Sequence, residues 1–167
     1  MSSLSGPFPH SGEGIVGITA ITVGKKHESW VAEGIDRYTK RLRKPFDLTW
    51  KLLPHSSKEH DAAREEESAR ILASLKGNDH VILLDERGKN ISSPQLAQHL
   101  QGQFDAGSAV VVVIGGAYGV NAELSARANF TWSLSKLVFP HQLVRLVLAE
   151  QVYRAQEISA GRSYHHV

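Results

Sequence analysis

The sequence predicts a single α/β domain, and three observations predict it. Short, β-branched apolar runs alternate with longer stretches of helical period. Two of the runs, residues 81–84 and 109–114, are apolar throughout, as strands covered on both faces must be. The second runs straight into Gly115-Gly116-Ala117-Tyr118-Gly119, and a strand ending in such a cluster is where open α/β sheets usually bind ligands.

Residues 15–23 (IVGITAITV) read as the first strand, closed by Gly24. Residues 29–42 read as a helix with Trp30, Ile35, Tyr38 and Leu42 on its inward side. A second strand covers 47–53 and is closed by Pro54. An acidic helix follows over about 58–75, with Ala62, Ala69, Ile71, Leu72 and Leu75 as its apolar side and Gly77-Asn78 as its stop. After the strand at 81–84, Ser93-Pro94 offers a hydroxyl N-cap and a proline at the first helical position, starting a helix that runs to about Phe104. The strand at 109–114 and a polar helical stretch at 121–128 come next. Residues 131–139 are expected to be a final strand, ended by Pro140, before a long helix from His141 to about Ala160. No internal repeat and no second domain are visible.

A length of 167 residues fits one domain, and 41% hydrophobic with 22% charged residues is the composition of a globular one. There is no cysteine, which excludes disulfides, a thiolate metal site and a cysteine nucleophile, and is compatible with a cytoplasmic setting. No apolar stretch approaches the roughly 18 residues that would cross a bilayer. Residues 1–14, rich in Ser, Gly and Pro, lack the features of a signal peptide and are expected to be a disordered extension to a domain at 15–167. The net charge of +2 gives the whole chain little pull on a nucleic acid backbone. Lys25, Lys26, Arg37, Lys40, Arg41, Arg43 and Lys44 nevertheless cluster early, and read equally as a phosphate-facing surface or as a solvated helix face.

Gly115, Gly116 and Gly119 would let a backbone approach a ligand with no Cβ in the way, although a tight turn without a ligand has the same composition. Their spacing is neither the dinucleotide fingerprint nor a P-loop, which sets aside a doubly wound dehydrogenase. The segment from Trp132 to His141 mixes small hydroxyls with apolar residues, offering polar backbone to a base edge and apolar walls to a flat ring. The helix after it is apolar nearly all round, through Leu143, Val144, Leu146, Val147, Leu148, Ala149, Val152, Tyr153 and Ile158. Such a helix is buried on more than one side, in a core or a subunit interface. Arg145 and Arg154, nine positions apart, should point to opposite sides, and Glu150 stands at ion-pair spacing from Arg154. The chain ends in Arg162, Tyr164, His165 and His166, whose histidines lack the neighbours a metal site requires, so none is expected.

Taken together, four motifs resemble the ribosomal RNA large subunit methyltransferase H family. They are Gly-Gly-x-x-Gly after an apolar strand, Ser-Leu-Ser-x-Leu-x-x-Pro-His, Leu-Val-Arg-x-x-x-Ala-Glu-Gln-x-Tyr-Arg-Ala, and the terminal Tyr-His. Each is ordinary singly; their order and spacing across residues 84–165 are specific. The resemblance implies a SPOUT fold, a parallel-sheet sandwich whose C-terminal segment forms a trefoil knot. It implies a homodimer that uses S-adenosyl-L-methionine (SAM) to methylate N3 of a pseudouridine in large-subunit ribosomal RNA, within the assembled ribosome and in the cytoplasm. By motif match, Leu84, Gly115, Gly116, Ser135, Lys136, Leu137, Val138, Phe139 and Pro140 would bind the cofactor. His165, Arg154, Tyr164 and His141 are the catalytic candidates, His165 as a base and Arg154 as a stabiliser of negative charge. Rival readings are a SPOUT enzyme for another RNA and a non-catalytic RNA-binding module of the same fold. Two departures stand out: Ala117-Tyr118 where relatives often carry Pro-Glu or a similar pair, and His166 where many carry arginine.

Overall fold

The computed structural model describes residues 17–166. The expectation of a disordered extension at 1–14, and the first two residues of the expected first strand, lie outside them. Five parallel strands form one sheet in the order β2-β1-β4-β3-β5. They are β1 (Ile18–Val23), β2 (Leu48–Leu53), β3 (His80–Lys89), β4 (Val110–Ile114) and β5 (Phe130–Trp132). The helices are α1 (Ser29–Thr39), α2 (His60–Ala73), α3 (Ser93–Asp105), α4 (Ala122–Arg127) and α5 (His141–Ser159).

The period-two alternation of strand side chains divides the core into two layers. Ile18, Ala20, Ile82, Val110 and Val112 point to one face and pack under Leu96, Leu100 and Phe104 of α3 and Leu148 and Val152 of α5. Ile21, Val23, Val81, Leu83, Val111 and Val113 point to the other, against Ile71 of α2 and Leu124 of α4. Each such fully buried aliphatic side chain contributes roughly 1.5–3 kcal/mol, which is why β3 and β4 contain no polar residue where they cross the middle of the sheet. Helix α1 packs on α5 through Val31, Ile35 and Ala149. The helix that is apolar all round is thus sandwiched between α1, α3 and the sheet.

The differences from expectation have local causes. Trp30 is 51% exposed, its indole N–H donating to Glu28 at 2.6 Å, and Val31 takes the inward position instead. On α2 the inward residues are Ala63, Glu67, Ser68 and Ile71, whereas Ala62 and Ala69 face out. The cap of α3 is Ser92, one residue early: its hydroxyl accepts from Gln95 N–H while the Gln95 side chain accepts from Ser92 N–H. Strand β5 has only three residues, and 133–139 form a loop. There Ser133 Oγ donates to the Ser135 carbonyl at 2.9 Å and Ser135 Oγ accepts from Leu137 N–H at 3.0 Å, so hydroxyls replace the sheet's hydrogen bonds.

At the N-terminal edge of the sheet, His80 and His99 approach Nε2 to Nε2 at 2.8 Å, with Phe130 against the His99 ring. One nitrogen must donate and the other accept, so a second proton breaks the contact. Burial pulls both pKa values below 6.5, and for His80 the neighbouring His99 and Arg127 act the same way. Below pH 6.5 the unfolded chain therefore binds protons that the folded chain refuses, and stability is lost as pH falls toward the lower folded values. Urea denaturation at about pH 7.5 and about pH 5.5 should show a lower midpoint at the acid end. His99→Phe should flatten that dependence.

Candidate active site

The C-terminal ends of β3 and β4 open on a cleft facing the loop that follows β5. Leu84, Gly115 and Gly116 form one wall; Ser135, Leu137, Val138 and Phe139 form the other. Leu137 and Val138 are 69% and 78% exposed, among the few large apolar side chains the described surface presents. Apolar side chains set opposite a glycine turn make a slot for a flat ring. Lys136 and Pro140 do not line it: Lys136 points to solvent, and Pro140 caps α5. Sequence reasoning missed Asp85, Glu86, Leu134 and Val144, which do. Stopping β3 at Leu84 hid the first two, and the loop geometry that turns Leu134 inward leaves no periodic signal.

The glycine turn is tightly packed from behind. A Cβ on Gly115 would stand 2.9 Å from Val120 Cγ1, and one on Gly116 would run into the Glu67 carboxylate. Gly119, at φ +77°, donates its N–H to the Gly116 carbonyl at 3.0 Å and closes the turn. His141 Nε2 lies 3.0 Å from the Gly115 carbonyl and 3.2 Å from Thr22 Oγ1. The carbonyl only accepts, so Nε2 carries the proton and donates. Burial first, then the Arg145 charge, pull the His141 pKa below 6.5, overriding the opposite push of the Gly115 bond and favouring the neutral ring. This candidate thus ties the glycine turn to β1 and α5.

The other three catalytic candidates stand together elsewhere. Arg154 Nε and Nη2 donate to Glu150 Oε1 at 3.0 and 2.6 Å, and its Nη1 is 3.1 Å from His165 Nδ1. The guanidinium can only donate, so Nδ1 accepts and its lone pair is occupied in this arrangement. Tyr164 Oη donates to Glu150 Oε1 at 3.2 Å, and its ring lies 4.9 Å from the Arg154 guanidinium carbon. Burial, and next the Glu150 charge, push the Tyr164 phenol up to about 12. Glu150→Gln should bring it part of the way back toward 10.0, read by ultraviolet titration of tyrosinate; an unmoved phenol would show that burial alone sets it. Arg154 lies thirteen positions beyond His141 on α5, about 20 Å along the helix axis. Within one chain this cluster does not border the cleft.

Arg145 projects from the opposite side of α5, as the nine-position spacing requires, and is 1% exposed. Its Nη1 donates to the Lys25 carbonyl at 2.8 Å and lies 3.2 Å from His27 Nδ1. The seven cations of the early cluster, Lys25 to Lys44, are all exposed. Among the described residues, no group of three or more His, Cys, Asp or Glu is placed to hold a metal, and no helix is long and apolar enough to cross a membrane.

Comparison with known proteins adds to this geometry. Residues 16–165 match the family model described as "Predicted SPOUT methyltransferase". A protein of Dichelobacter nodosus named Ribosomal RNA large subunit methyltransferase H is 42% identical over 152 residues, covering 89% of this chain and 97% of its own. A protein of Geotalea daltonii with the same name is 43% identical over 154 residues, covering 89% and 99%. Among solved structures, a probable methylase family protein from Haemophilus influenzae superposes with a TM-score of 0.52 at 10% identity, over 91% of this chain and 71% of that one. That last likeness is one of fold alone.

Proposed function

The chain belongs to the ribosomal RNA large subunit methyltransferase H family of SPOUT methyltransferases, and from that premise we propose that it transfers a methyl group from SAM to N3 of a pseudouridine in large-subunit ribosomal RNA. The observation that carries this reading is the cleft in which the Gly115–Gly116 backbone faces Leu137, Val138 and Phe139 across a gap. The residues present suit the cofactor: bare backbone for the polar edge of an adenine, and exposed apolar side chains to cover its face. When bound, SAM supplies an electrophilic methyl group on a sulfonium. The protein's task is then to align a ring nitrogen with it and to manage the proton that nitrogen carries.

In this proposal His141 holds the glycine turn in place. Arg154, Tyr164 and His165 act from a second copy of the chain in a homodimer, because ten positions of α5, about 15 Å of helix, separate Arg154 from Val144, which lines the cleft of its own chain. With Arg154 hydrogen-bonded to both Glu150 and His165, docking of RNA has to rearrange the cluster before His165 can accept a proton. The net charge of +2 favours a substrate whose shape is supplied by an assembled ribosome, with the exposed early cations meeting phosphate. We extend the proposal to a cytoplasmic setting and to the trefoil knot expected of the family's C-terminal segment.

Calorimetry with SAM and with S-adenosylhomocysteine (SAH) tests the cofactor assignment, and should show saturable binding of both. Absence of heat from folded protein would remove it. Methyl incorporation into naked RNA, free large subunits and whole ribosomes should favour the assembled particle. Binding of RNA without incorporation would instead mean a non-catalytic module.

A further inference from the structure

We propose that a second cavity, on the far side of the glycine turn, receives the target base, and that Arg145 holds there the negative charge the base develops. This rests on the methyltransferase reading above. The cavity has a volume of about 620 Å³ and shares Gly116 with the first cleft. Its walls carry Glu67, Tyr118, His141 and Arg145, with Lys25 at the rim.

Arg145 and Glu67 are 1% and 4% exposed, and each has a buried atom with no hydrogen-bond partner: Arg145 Nε and Glu67 Oε1. Glu67 keeps its other oxygen on Ser56 N–H at 2.8 Å and lies under Gly116, so it supports the turn. Arg145 differs from Arg154, Arg70 and Arg162, each of which holds a carboxylate. No carboxylate bonds to it among the described residues. The charged and titratable groups around it are Lys25, His27 and Glu28 from the β1–α1 loop, His141 from its own helix and Glu67 of α2, which shares the cavity. Glu28 and Glu67 are acidic, and the Glu28 charge favours the guanidinium, but Glu28 Oε2 accepts from the Trp30 indole, Glu67 Oε2 accepts from Ser56 N–H, and neither carboxylate bonds to Arg145. A buried guanidinium with no carboxylate hydrogen-bonded to it and an unpartnered Nε is suited to negative charge arriving with a ligand.

Two further features select a nucleotide over the methionine end of the cofactor. Tyr118 is 38% exposed on the cavity wall and offers a ring on which a base can stack. Lys25 stands exposed where a phosphate would pass. Methylation of an imide gives Arg145 its task. The N3 proton passes to His165 of the second copy, and the electron pair it leaves spreads onto the flanking carbonyl oxygens, where the guanidinium donates to one of them. The N3 pair then forms the bond to the methyl carbon as the sulfur–methyl bond breaks, its pair returning to sulfur.

The test uses the full chain with Arg145→Gln and Arg145→Lys. The expected result is SAH affinity within about twofold of wild type and a single-turnover rate on saturating RNA reduced about 100-fold in Arg145→Gln. That rate should still climb with pH where the wild type has levelled, a shift no purely structural role produces, and Arg145→Lys should fall between. Loss of about tenfold or more in SAH affinity would overturn the proposal, assigning the guanidinium to the cofactor's carboxylate. If neither Arg145 variant folds, Tyr118→Ala decides: RNA affinity without cofactor should fall about tenfold with SAH affinity unchanged, and unchanged RNA affinity overturns the proposal. A wild-type chain that binds no SAH overturns the methyltransferase reading and this proposal with it. A wild type that binds and methylates, matched by Arg145→Gln, overturns this proposal alone.

Discussion

Gly116→Ala will weaken SAM and SAH binding by at least ~100-fold, equivalent to about 2.7 kcal/mol. The added methyl runs into the Glu67 carboxylate, which cannot swing away. Glu67 is buried, its second oxygen is held by Ser56 N–H at 2.8 Å, and Val23 stands 3.5 Å from the same methyl. The turn must therefore move into the cleft and narrow the slot between Gly115–Gly116 and Leu137. Overpacking of this kind also costs about 1–3 kcal/mol of stability, so the midpoint of urea denaturation should drop as well. Calorimetry on folded variant is the check. Wild-type affinity would mean that the cofactor does not lie against this turn.

Arg154→Ala will leave SAH affinity unchanged and lower single-turnover methylation by about 10²–10³-fold. It removes the group that ties Glu150 to His165 and covers Tyr164, so the whole tail cluster loses its arrangement. The same variant tests the homodimer. When Arg154→Ala chains are refolded with an equal amount of Gly116→Ala chains, half of the dimers are mixed, and each mixed dimer has one intact site if the tail of one copy serves the cleft of the other. Activity should return to about a quarter of wild type. No recovery would place each tail on its own cleft, against the separation along α5.

Much of the fold was legible because strands buried on both faces leave an unmistakable apolar run. Residues 109–114 and the start of β3 are read directly from composition, and the all-round apolar α5 declares its own burial. The failures share a cause. Period alone points Trp30 inward, but Glu28, two residues before it, gives its indole N–H an exposed partner. The expected strand at 131–139 ends at Trp132 because, past the last bond of Ser133 N–H to the Lys89 carbonyl, the hydroxyls of Ser133 and Ser135 pair with the Ser135 carbonyl and the Leu137 N–H, and that choice is made by geometry.

For the site, motif resemblance singled out Leu84, Gly115, Gly116 and Ser135–Pro140, and all of them but Lys136 and Pro140 line the cleft. It grouped His141 with the tail residues, from which the length of α5 separates it. Glu67 was unreadable: one glutamate in an acidic helix carries no mark that it faces inward beneath a glycine turn. For Arg145 the sequence shows only its helical phase, since an absent carboxylate partner is a fact of three dimensions.

The most direct test is mass spectrometry of large-subunit ribosomal RNA after whole ribosomes, taken from cells lacking this protein, are incubated with it and SAM. One added methyl group, on a pseudouridine, absent with Gly116→Ala, is the predicted result. Ribosomal RNA of unchanged mass in the presence of folded, SAM-binding protein, or a methyl group found on a nucleotide other than a pseudouridine, would contradict it.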